Sequence, residues 1–140
     1  MQGRCYCGEI RYEVTEAPVM KAQCHCRECQ YITGGGPNFF MAVPEGGFHV
    51  TEGVPKTFTR SDLETPRTRQ FCGTCGTHLT TLLPGRPLVI VKVGTLDNPA
   101  EDYGGSKLAI FMKDSQPYHQ VAEGLPCFQD LPPPPPAPGT

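Results

Sequence analysis

The chain has 140 residues, 12 Lys+Arg against 14 Asp+Glu and a formal charge of −2, which fits one domain of ordinary size and offers nucleic-acid phosphates no basic run. Only 38% of residues are hydrophobic, Trp is absent, and Gly and Pro contribute 16 each. That excludes a large apolar core and a membrane span, and predicts a turn-rich fold held by something besides its core.

The first residues, Met1-Gln2-Gly3-Arg4-Cys5, hold no apolar signal segment, so the expected location is the cytoplasm. Thiols stay reduced there, and a cysteine-dense chain binds metal or carries catalysis more often than it forms disulfides. Cys5-x-Cys7, followed by Gly8, opens the chain. Ile10, Tyr12 and Val14 then alternate with Arg11, Glu13 and Thr15, the two-residue period of a half-buried strand. Cys24-x-Cys26-x2-Cys29 comes next, with at most one helical turn over 26–31, ended by Thr33-Gly34-Gly35-Gly36-Pro37. Short strands bounded by Gly or Pro are predicted over 48–51, 57–60, 68–71, 78–82, 88–93 and 108–112. Cys72-x2-Cys75 lies between two of them, Gly73 and Gly76 helping the backbone fold around sulfur. No amphipathic helix of ten residues or more is expected. Residues 1–130 form the predicted domain, and 131–140, Leu131 followed by a proline run, an extended disordered tail without core residues.

A structural zinc site takes four protein ligands, and a catalytic one takes three and leaves a position open. Seven clustered cysteines divide accordingly. Cys5, Cys7, Cys72 and Cys75 staple two hairpin tips around one Zn²⁺; Cys24, Cys26 and Cys29 converge on a second, open Zn²⁺ beside a glycine-rich loop. Disulfides or a redox CxxC remain alternatives for the pairs, and a redox thiol cluster or an iron–sulfur site for the triplet. Cys127 reads as a packed or surface thiol. His25, between two triplet cysteines, points away from them and is structural. His78 reads as a satisfied, partly buried histidine.

Gly3-Arg4-Cys5-Tyr6-Cys7-Gly8-Glu9-Ile10-Arg11-Tyr12, Cys24-His25-Cys26-Arg27-Glu28-Cys29, Phe71-Cys72-Gly73-Thr74-Cys75-Gly76-Thr77 and Val93-Gly94-Thr95-Leu96-Asp97-Asn98-Pro99 together resemble the glutathione-dependent formaldehyde-activating enzyme family, or centromere protein V/Gfa domain. The resemblance implies a mainly β fold, a β-tent (Mss4-like) of short antiparallel strands with zinc knuckles. It implies a structural zinc on Cys5, Cys7, Cys72 and Cys75 and a second zinc on Cys24, Cys26 and Cys29. The implied activity is that of a carbon–sulfur lyase: joining glutathione to formaldehyde to give S-(hydroxymethyl)glutathione.

An open thiolate-rich Zn²⁺ suits that chemistry, because it can lower the pKa of an added thiol or polarise a carbonyl oxygen. Cys24, Cys26 and Cys29 are therefore the expected catalytic centre, and the partners a small thiol such as glutathione and a small aldehyde, with no nucleic acid or membrane. Glu28 and Asp97 are acid/base candidates by position, Glu28 reading equally as a solvated side chain. The glycine loop is either an amide cradle for a carboxylate or a plain turn. Arg67 and Arg69 are either carboxylate forks or alternating surface charges. The competing reading is a non-catalytic zinc module that binds or carries glutathione, another small thiol or a protein partner.

Overall fold

The computed structural model describes residues 1–134; the remainder of the predicted proline tail, 135–140, lies outside them. Ten strands and two short helices follow in chain order: β1 Gln2–Arg4, β2 Arg11–Val14, β3 Met20–Cys24, α1 Arg27–Thr33, β4 Asn38–Pro44, β5 Phe48–Glu52, β6 Lys56–Thr59, β7 Thr68–Phe71, β8 His78–Leu82, β9 Leu88–Lys92, α2 Pro99–Asp102 and β10 Leu108–Ile110. The expected small, mainly β fold of short strands is what forms.

Two sheets form, a three-stranded one ordered β1-β2-β5 and a seven-stranded one ordered β10-β3-β4-β9-β8-β7-β6. All pairs are antiparallel except β10 with β3, where Leu108, Ala109 and Ile110 lie parallel to Ala22, Gln23 and Cys24. That parallel edge departs from the wholly antiparallel expectation, and it follows from the long return of the chain between the two strands.

The large sheet is buried on both faces. Met41, Val43, Val89 and Val91 point toward Ile10, Tyr12 and Val14 of the small sheet and form one core. Phe40, Ala42 and Ile90 point the opposite way and pack with Cys24, Cys29 and Ile110 in a second. Strands covered on both sides lose the polar/apolar alternation of a half-buried strand, which is why β3 and β4 were not expected. Gly3 marks the closest approach between layers: a Cβ there would stand 2.3 Å from the Tyr12 ring and 2.5 Å from the Thr95 carbonyl oxygen. Tyr12 in turn reaches Thr95 Oγ1 at 2.6 Å.

β10 ends at Phe111, whose left-handed backbone (φ 54°, ψ 41°) is unusual for a bulky residue. This bend throws the chain into a short 3₁₀ turn, Met112–Asp114, instead of extending the strand to 112. The following segment returns along β10, with Ala109 N donating to Pro126 O at 2.9 Å and Phe111 N to Asp130 O at 3.1 Å.

Candidate metal centres and the adjoining cleft

All eight cysteines are free thiols, so the structure holds none of the disulfides that the pairs allowed. The sulfurs of Cys5, Cys7, Cys72 and Cys75 lie within 4.8 Å of one another, and so do those of Cys24, Cys26 and Cys29. Both groups can hold a metal ion.

The four-sulfur group joins two turns of like construction. Cys5 N donates to Ile10 O at 3.0 Å and Cys72 N to Thr77 O at 2.9 Å, closing each turn at its base. Gly8 and Gly76 adopt positive φ, 82° and 78°, which lets each chain turn back without a Cβ penalty. Ile10 N donates to Cys5 Sγ at 3.3 Å and Cys75 N to Cys72 Sγ at 3.5 Å. Thr77 ties the turns together, its Oγ1 accepting from Tyr6 N at 3.0 Å and lying 3.1 Å from Cys75 Sγ. Separations of 3.6 Å for Cys5–Cys7 and 3.8 Å for Cys7–Cys72 match the roughly 3.8 Å between ligands of a tetrahedral ion with metal–sulfur bonds of about 2.3 Å. The Thr77 hydroxyl, with the Cys7 and Thr77 backbones, brings Cys75 down to about 5, a thiolate ready for a metal.

The three-sulfur group sits where β3 gives way to α1. Cys24 ends the strand, Cys26 caps the helix by accepting from Cys29 N at 3.4 Å, and Cys29 lies one turn in. Hydrogen bonds from the Cys24 and Cys29 thiols hold Cys26 far below an ordinary thiol, aided by the Cys29 amide and the nearby Arg69 charge. Its two neighbours are correspondingly raised.

Lys92 supplies an independent test of whether this group suits a metal. It lies on β9 opposite Phe40, two residues along β4 from Asn38, which pairs with Cys24. Its side chain is buried, 7% exposed, and Nζ has no hydrogen-bond partner among the described residues. Burial pushes the ammonium down to about 8, against the pull of the Cys29, Cys24 and Cys26 sulfurs, with Arg69 adding a like charge. A buried, unpartnered cation is costly. Three thiolates around a divalent ion carry a net −1, which Lys92 offsets. The donor set and its buried counter-charge thus fit a thiolate-bound cation such as Zn²⁺.

All three triplet cysteines open onto a cleft of about 250 Å³ on the outer face of the large sheet. Phe40, Ala42 and Ile90 form its floor; Ile110, Phe111 and Leu131 stand at the β10 side, and Arg69 and Thr81 at the other. Leu131, the first residue of the expected tail, is exposed and stands at the cleft edge, where the bend at Phe111 brings the return segment back along β10. Arg69 is only 8% exposed and donates to Thr81 Oγ1 at 3.1 Å, so it is no surface charge. Glu28 faces three guanidinium groups, Arg69 at 3.5 Å, Arg60 at 3.8 Å and Arg67 at 4.0 Å. It is an anchor for arginines, and the rim keeps an excess of positive charge.

Other candidates fall elsewhere. Asp97 is exposed on the small-sheet side, its amide donating to Gln2 O at 2.9 Å, and does not line the cleft. The glycine loop closes on itself through Thr33 Oγ1, which donates to Gly36 O at 2.6 Å, and lines a separate depression with Arg27, Tyr31 and Tyr118; it is a turn. His78 packs against the Phe71 ring at 5.6 Å, but its Nδ1 has no hydrogen-bond partner among the described residues, so it is not a satisfied histidine. Cys127 is exposed and donates to Leu125 O at 3.3 Å.

His25 is fully buried and turned away from the sulfurs, Nε2 lying 3.0 Å from Gln23 Nε2 and Nδ1 3.0 Å from His119 Nδ1. His119 was invisible in the sequence, since it lies 94 positions from His25 and in no motif. Lys92, a lone cation in an apolar strand pattern, was passed over for the same reason. Among the described residues no helix is long and apolar enough to cross a membrane.

No protein of curated function matches the sequence. Among solved structures, the crystal structure of a Rhodobacter sphaeroides protein aligns with a TM-score of 0.57 at 21% identity, over 69% of this chain and 88% of that one; the likeness is one of fold. The model of the family "Glutathione-dependent formaldehyde-activating enzyme" matches residues 1–114, a span that takes in both cysteine groups, β1 to β10 and the strand bearing Lys92. The chain belongs to the glutathione-dependent formaldehyde-activating enzyme family.

Proposed function

We propose that residues 1–130 act as one cytoplasmic zinc-binding domain that joins a thiol such as glutathione to formaldehyde or a related small aldehyde, a carbon–sulfur lyase read in the direction of synthesis. Cys5, Cys7, Cys72 and Cys75 hold a structural zinc in this proposal, and Cys24, Cys26 and Cys29 an open, catalytic one. The observation that carries it is the contrast between the two groups: four sulfurs closed into paired turns, and three sulfurs opening onto a cleft.

In the reaction the thiol gives its proton to water, its sulfur forms a bond to the carbonyl carbon, the carbonyl π pair moves to oxygen, and that oxygen takes a proton from water. A zinc ion on Cys24, Cys26 and Cys29 would supply the lowered thiol pKa and a positive charge beside the carbonyl. The chain's own groups act alongside. Arg69, which lines the cleft, places buried positive charge where negative charge develops, and a water-poor setting strengthens that effect, while Lys92 offsets the thiolates. Glu28 ties Arg67 and Arg69 together at the cleft mouth. Phe40, Ala42 and Ile90 keep bulk water from the reacting atoms.

The test is the rate of exchange between free and thiol-bound formaldehyde, followed by NMR with glutathione present. The wild-type chain should speed exchange, and Cys26→Ser should abolish the gain while keeping native circular dichroism and one zinc per chain. Tight glutathione binding with no gain in exchange would identify the non-catalytic carrier instead.

A further inference from the structure

Formaldehyde is too small to fill the cleft, and the floor of the cleft is apolar. Away from the triplet it consists of Phe40, Ala42 and Ile90, walled at its far end by Met20, Leu83 and Leu88.

Register gives the cleft a direction and a length. Cys24 pairs with Asn38 and Met20 with Ala42, while Phe40 faces Lys92 and Pro44 faces Leu88 across the next pair. The triplet therefore lies at the Cys24–Asn38 end, Met20 four strand residues away, about 13 Å at the usual rise, and Leu88, with Leu83 beside it, six away along β4, about 20 Å. Arg86 stands at this far end, in the turn between β8 and β9; it lines the cleft, is exposed, and has no ion pair among the described residues. An apolar trough thus runs from a metal-ligating triplet to an uncommitted guanidinium, in a chain whose formal charge is −2.

We propose that this cleft takes an apolar-bodied anion: an aldehyde with a hydrocarbon or aromatic body, carbonyl at the triplet, body over Phe40, Ala42 and Ile90, and carboxylate at Arg86. The placing of the carbonyl rests on the thiol–aldehyde reading; the choice of apolar body and anionic end does not. Apolar contact along the trough binds the body, and the guanidinium fork suits a carboxylate. The reaction balances as before: the thiol proton passes to water, a carbon–sulfur bond forms, the carbonyl π bond opens, and oxygen takes a proton from water.

The first measurement is calorimetric titration of the zinc-loaded full chain with octanoate and with acetate, which share a carboxylate and differ in body. Octanoate should bind at least about tenfold tighter, as expected when apolar area leaves water. Leu83→Glu, at a half-buried wall position, should erase that difference, and Arg86→Gln, at an exposed one, should weaken octanoate severalfold; zinc content and melting temperature report that both variants fold. Octanoate no tighter than acetate, or both variants binding as wild type, would overturn the proposal.

The second measurement separates this from the reaction itself. Exchange NMR with glutathione compares 8-oxooctanoate with formaldehyde, and the longer aldehyde should show the greater gain over the uncatalysed rate. Octanoate bound in the cleft with neither aldehyde accelerated would uphold the ligand class and sink the chemistry. Formaldehyde accelerated with octanoate unbound would do the reverse.

Discussion

His25 and His119 meet Nδ1 to Nδ1 at 3.0 Å, and their other contacts fix which ring carries the proton. His119 Nδ1 accepts from Gln116 N at 3.1 Å, and His119 Nε2 donates to Gly35 O at 2.7 Å. His25 must therefore donate from Nδ1, and its Nε2 accepts from the Gln23 amide. One chain of hydrogen bonds thus ties β3, the glycine turn after α1 and the C-terminal return segment around the residue between Cys24 and Cys26. His119→Ala should loosen the triplet and leave the four-sulfur group alone. Zinc release to a chelator, biphasic in the wild type, should then show a faster first phase, at least about fivefold, with an unchanged second one. Two unchanged phases would show that the histidine pair does not steady the triplet.

Cys72 is fully buried and belongs to the group that joins the N-terminal turn to the turn before β8. Apparent zinc energies of roughly 10–16 kcal/mol in finger peptides exceed the whole stability of most domains, about 5–15 kcal/mol. Cys72→Ser should therefore leave the chain largely unfolded at 25 °C by far-ultraviolet circular dichroism. Excess chelator should do the same to the wild type, but only in its slow phase. A Cys72→Ser chain that melts like the wild type would remove the structural role from this group.

The cysteine spacings and the half-buried strands were legible because each is a local signal. Arg11–Val14 alternates, and Thr68–Phe71 and His78–Leu82 run between turn residues. β4, Asn38–Pro44, was not legible: its core residues face both ways, so Phe39-Phe40-Met41-Ala42-Val43 shows no period. Of the two readings of Arg69, the surface charge fails for a related reason. Alternation along β7 assigns it to solvent only if one face of the sheet is free, and here α1 and the Glu28 cluster cover that face. The His25–His119 pair and the siting of Lys92 beneath the triplet depend on pairings between distant segments, which no local pattern encodes.

Lys92 gives a prediction whose sign depends on the metal. With the triplet empty and the four-sulfur group still loaded, its unpartnered buried ammonium is a cost, so Lys92→Met, close in volume and uncharged, should stabilise the fold by about 1–3 kcal/mol. With the triplet loaded, the lysine offsets the net negative charge of three thiolates around a divalent ion, and the same change should weaken zinc binding there about tenfold. Lys92→Arg should restore part of that affinity, since the charge returns. Denaturant titrations of chains taken after the fast phase of zinc release and of fully loaded chains, with competition for zinc by a chromophoric chelator, read both effects. The same sign in both states would mean that Lys92 is not paired with the triplet.

His78 predicts how stability responds to acid. Burial, then the charges of Lys92 and Arg69, hold its folded-state pKa below the ordinary 6.5. Above that value both folded and unfolded chains carry a neutral ring, and His78 contributes no pH dependence. As pH falls through 6.5 the unfolded chain takes up a proton that the folded chain refuses, so stability falls until the lower folded-state pKa is reached. The slope from one such proton is at most about 1.4 kcal/mol per pH unit. His78→Phe keeps a ring against Phe71, removes the unpartnered Nδ1 and cannot titrate. Its stability should match or exceed the wild type at pH 7.5, and the gap should widen as pH falls from 7 toward 5. Zinc loss from the thiolates at low pH affects both chains alike, so the difference between their denaturation midpoints isolates the histidine. A gap constant across that range would mean that the ring titrates normally in the folded chain, and that the field of Lys92 and Arg69 does not reach it.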